Sequence, residues 1–170
     1  AAGNPPINLS FASITTTNSP VSGIRLNRVG GAGLLVTGAT AVDLAPGAGA
    51  GIDIANAATT TLSISPASTL TVADRRATGI LLNAVSGAVS LGETTIANPN
   101  GATGYGLRVQ ASSAAVTVAR ANISGTVAGT PETYEPVRDT PLSDGDGDAI
   151  FVTGLTGSLT VNGGTISNTG

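Results

Sequence analysis

The sequence predicts an all-β fold: a right-handed parallel β-helix (β-solenoid) of about six coils, each of roughly 27–28 residues with three short strands. Three observations lead there. A three-step apolar phrase recurs five times, and each recurrence opens with a matching pair: Ile24/Leu26, Ile52/Ile54, Ile80/Leu82, Leu107/Val109 and Ile150/Val152. The onsets Ile24, Ile52 and Ile80 are evenly spaced and Leu107 comes one position early, and self-similarity at such a period signals a repeat architecture. Each step also alternates apolar with polar residues, which is the period of a strand and not of a helix. Finally, only 2% of the residues are aromatic, so the core must be built from Ile, Leu, Val and Ala, side chains that suit a narrow bore.

The elements follow in order. Residues 7–22 form a partial first coil carrying Ile7, Leu9 and Ile14. In each full copy the first step is followed by a second (Leu34/Val36, Leu62/Ile64, Val89/Leu91, Val116/Val118, Leu159/Val161) and a third (Val42/Leu44, Leu70/Val72, Ile96, Ile123, Ile166). Between the first two steps a further inward position holds Val29, Ala57, Val85 and Leu155, with Ser112 in the fourth copy. Gly23, Gly51, Gly79 and Gly106 open successive coils and read as turn chemistry. Residues 130–147 break the period: the interval from Leu107 to Ile150 is half as long again as the others, which places a loop insertion between coils. Residues 1–170 thus form a single solenoid segment. Hexapeptide periods that would mark a left-handed helix are absent, as are the G-G-x-G-x-D nonapeptides of a calcium-binding β-roll.

Composition narrows function. With no Cys there is neither a disulfide framework nor thiol chemistry, and with no His the usual general base and the commonest metal ligand are missing. The net charge is −3 and all seven cations are Arg, which gives no electrostatic footprint for nucleic acid. No apolar run approaches the length of a transmembrane helix. The lack of Met, and of polar caps at either end, reads as an excised part of a longer chain whose open ends would join copies into a homo-oligomer or filament.

The stretches GIDIANAATTTLSISPASTLTV, ATGILLNAVSGAVSLGETTIANPNGATGYGLRV and GDAIFVTGLTGSLTVNGGTISNTG resemble the tandem repeats of large bacterial surface proteins with right-handed β-helix passengers. Autotransporter passengers and related β-strand-repeat adhesins are the nearest groups, and the resemblance covers residues 7–170 apart from the insertion. It implies export to the cell surface or medium and a non-enzymatic structural, adhesive or matrix role, with a surface glycan or a host or matrix component as partner.

Three groups of residues are candidates for chemistry. Asp144, Asp146 and Asp148 alternate with Gly, a spacing that lets carboxylates converge on calcium; the bland reading is an acidic turn, and no other cofactor is implied. Arg25, Asp53, Leu81, Arg108 and Phe151 share one outward row, a candidate interface with a neighbouring chain or plain solvated decoration. A second outward row, Leu35, Ser63, Ser90, Thr117 and Thr160, suggests an ice-binding hydroxyl ladder, although Ser and Thr are common on solvated sheets. A polysaccharide lyase or hydrolase is the alternative class. It requires acids at stacked positions, and outside the insertion no such pair occurs, so no catalytic residue is assigned.

Overall fold

The computed structural model describes residues 4–45, 49–72, 78–97, 105–124 and 149–167, and for 65–72 the backbone alone. In chain order its strands are β1 (Pro6–Phe11), β2 (Ile14–Ser19), β3 (Ser22–Asn27), β4 (Gly30–Val36), β5 (Thr40–Leu44), β6 (Ala50–Ala55) and β7 (Ala58–Val72). There follow β8 (Thr78–Asn83), β9 (Ser86–Ala97), β10 (Leu107–Gln110), β11 (Ala115–Ser124), β12 (Ile150–Thr153), β13 (Ser158–Val161) and β14 (Gly164–Ser167). Every pairing is parallel and joins a strand to its counterpart in the next coil. Parallel neighbours one coil apart, with no helix among the described residues, make the fold a β-solenoid of the right-handed β-helix class. No described helix is long and apolar enough to cross a membrane.

The first steps of the repeat stack into a five-stranded sheet, β3-β6-β8-β10-β12. The second and third steps make up a nine-stranded sheet along the path β1-β4-β7-β9-β11-β13, with β2 and β5 joining through β7 and β14 pairing with β11. Complete coils are fewer than the expected six, because the opening copy supplies β1 and β2 but no described first-step strand. In the middle coils the second and third steps run as one strand of 15, 12 and 10 residues.

Registers explain how an uneven period keeps its faces. Ala58 pairs with Ser86, Leu62 with Val89 and Leu70 with Ile96, so the interval to the next coil shortens twice along β7. The difference is absorbed at two breaks, between Ala58 and Thr61 and between Ile64 and Ala67. Pro66 falls in the second, where a residue without an N–H removes nothing from the ladder. A one-residue slip carried further would turn every later side chain to the wrong face.

Inward positions converge on one core that includes Val36, Ile52, Ile54, Leu82 and Val109, all fully buried. The coil-opening glycines border that core, which corrects the turn reading: none of Gly23, Gly51, Gly79 and Gly106 has positive φ. A Cβ on Gly79 would lie 2.6 Å from the Gly106 carbonyl oxygen and 2.7 Å from Ile96 Cγ2. One on Gly106 would meet Ile123, and one on Gly23 would meet Val42. At Gly23, Gly79 and Gly106 glycine is present because the third-step aliphatic fills the bore opposite it.

The turn between the first and second steps is built differently. Arg28, Asn56, Ala84, Ala111 and Gly154 stack there with φ of 56°, 52°, 52°, 47° and 58°. The N–H of each residue but the last donates to a carbonyl of the following coil: Ala55, Asn83, Gln110 and Thr153 in turn. The ladder therefore runs unbroken through a left-handed corner whose side chains cost on the order of 1 kcal/mol each. Just beyond it lies the additional inward column. Ser112 is accepted there because its Oγ receives the Val85 N–H at 3.1 Å and donates to the Gln110 carbonyl at 2.8 Å.

Candidate functional site

Extended strands present every second side chain to one face, so the five-stranded sheet has an outward face ruled by its register. Arg25 pairs with Asp53, Asp53 with Leu81, Leu81 with Arg108, and Arg108 with Phe151. All five residues of the predicted row thus stand in one rank across successive rungs. At one end Arg25 Nε meets Asp53 Oδ2 at 3.3 Å, with the Arg largely exposed; such a pair contributes about 0 to 1 kcal/mol.

The other end of the rank is denser. The guanidinium carbon of Arg108 lies 4.8 Å from the ring centroid of Tyr105 and 5.5 Å from that of Phe151, while the rings sit 5.0 Å apart at 38°. All three side chains are half-buried. Arg108 Nε is buried and has no hydrogen-bond partner among the described residues. Tyr105 was not singled out by the sequence: it precedes β10 by two positions, outside the alternation, and its only signal is being one of four aromatics in the chain.

The hydroxyl row is also in register, from Leu35 through Ser63, Ser90 and Thr117 to Thr160, and Ser10 pairs with Leu35 at its start. Leu35 is exposed and interrupts its polarity. On the same sheet the Glu93 carboxylate accepts from Asn122 Nδ2 at 3.2 Å, and Asn122 Oδ1 accepts from Thr165 Oγ1 at 3.3 Å. Between β1 and β4 lies an apolar pocket of about 220 Å³ lined by Leu9, Gly33, Leu34, Leu35 and Thr61 and bearing no ionisable group.

Asp144, Asp146 and Asp148, like the whole insertion at 130–147, lie outside the described residues. Among the described residues no group of three potential ligands could hold a metal ion. The described carboxylates are Asp43, Asp53 and Glu93, and no two of them occupy paired positions on neighbouring strands. In comparison with known proteins, no family model, no curated protein and no solved structure matches this chain.

Proposed function

We infer that this chain is a non-enzymatic structural and adhesive β-solenoid module of an exported bacterial surface or extracellular-matrix protein, and that it associates with copies of itself end to end. One observation carries the reading. Val152 and Ile166 are 42% and 52% exposed, whereas their ladder partners one rung inward, Val109 and Ile123, are 0% and 1% exposed. At the opposite end Leu9 and Phe11 are likewise exposed, beside the buried Leu34 and Val36. Each terminal rung of this segment therefore carries apolar side chains that stacking of a further coil would cover. A head-to-tail contact of that sort is heterologous and propagates as a filament. In a longer chain the next covalent coils would take the same place. The abundance of Ser, Thr, Gly, Ala and Asn in the sequence supports an extracellular setting.

Sedimentation of residues 1–170 across a concentration series tests this. The weight-average mass should climb with concentration and electron micrographs should show rods, while Ile166→Glu should suppress both. A compact monomer at every concentration overturns end-to-end association. Shortening of pectin or alginate by the purified chain, lost on substitution of Asp144 or Asp148, would replace this reading with a carbohydrate-active one.

A further inference from the structure

The outward face of the five-stranded sheet carries a second rank beside Arg108 and Phe151. Two positions further along the same strands stand Asn83, Gln110 and Thr153, paired in register. They point to the same side and lie about 7 Å along the strand, with neighbouring rungs about 4.8 Å apart. Among the described residues, no hydrogen bond engages the side-chain amides of Asn83 and Gln110, and Arg108 makes no ion pair. The Arg108 guanidinium lies over the Tyr105 and Phe151 rings with its Nε buried, so the terminal Nη pair is what it has to offer a ligand.

We propose that the Tyr105–Arg108–Phe151 cluster binds an acidic carbohydrate, a chain containing uronic acids. The C–H face of one pyranose packs on the exposed parts of the two rings, its carboxylate takes the edge of Arg108, and hydroxyls of the next sugar meet Gln110, Asn83 and Thr153. The occupant follows from the surroundings. A protein hot spot of Tyr, Arg and Phe is ringed by contacts that exclude water, whereas this cluster spans two rungs and borders a rank of amides and a hydroxyl. The charge follows from Arg108, since a guanidinium already oriented by two rings offers paired N–H groups that match a carboxylate. The proposal rests on the adhesive reading above, but its test measures glycan capture alone.

Titration calorimetry of residues 1–170 with tetragalacturonate and with the neutral cellotetraose is the experiment, each variant first being checked for its wild-type melting profile. The acidic tetramer should bind at least about tenfold more tightly, with affinity falling as salt rises. Arg108→Gln should weaken it about tenfold, and Phe151→Ala about fivefold through lost stacking. Gln110→Ala, which leaves the aromatic cluster and the fold untouched, should weaken it about threefold. Equal binding of the two tetramers, or an unchanged affinity in Arg108→Gln, overturns the proposal. So does tighter binding of a Glu-rich peptide, which would mark a protein surface. No binding of either sugar at millimolar concentration overturns it too, while leaving self-association standing.

Discussion

Val109 and Val152 are the same residue type, on paired strands, in the same register, pointing the same way. Ile123 and Ile166 are a second such pair. In each, one member is sealed in the bore and the other faces solvent, and the difference is a single covering rung. The inner and outer rungs show that a solenoid residue owes its burial to the coil beyond its own. Local sequence fixes which side chains face inward, and neighbours determine what that orientation contributes.

The sharpest way to break the comparison is to truncate one aliphatic in each region. Leu82→Ala, deep in the bore, should destabilise by roughly 4 kcal/mol, whereas Ile166→Ala should cost about 0.5 kcal/mol, both read from urea denaturation at low protein concentration. Equal costs would mean that the outer rung is covered in solution. Gly79→Ala adds a methyl where no room exists, and should destabilise by about 3 kcal/mol although Ala is a better strand former. A neutral outcome there would show that the bore can widen. Ser112→Ala should cost about 1 to 2 kcal/mol by leaving the Val85 N–H without its partner, despite matching the apolar character of the column. At the smallest scale, Ala84→Asn at the left-handed corner should stabilise by about 0.5 kcal/mol, seen as a small rise in Tm. A fall in Tm would mean that the corner is not strained.

Much of the fold was legible because burial follows strict alternation. The first-step pairs, the row from Arg25 to Phe151 and the odd inward Ser112 were all readable from period and spacing, since one face of each strand must enter the bore. The corners were not. Arg, Asn, Ala, Ala and Gly share no propensity that would mark a common left-handed φ, and the stack holds that conformation through its hydrogen bonds to the next coil. Nor could sequence separate a glycine needed for a turn from one needed for space, because the crowding at Gly79 comes from Gly106 and Ile96, both distant along the chain. For the candidate site, Arg108 and Phe151 were legible as ladder neighbours. Tyr105 joins them by the path of the chain before β10, which no alternation encodes.

Between Ser124 and Ala149 the chain spends far more residues than any other coil does on its last turn, yet Leu107 to Gln110 and Ile150 to Thr153 pair as though the excess were not there. The β10–β12 ladder keeps its register across that interval. A foreign peptide placed there would be carried at a fixed point on a rigid shaft, and a second one between Ala97 and Tyr105 would emerge one rung away. Small labels or short peptides attached at those two points would be rooted about 4.8 Å apart, at a spacing set by backbone hydrogen bonds and not by a linker.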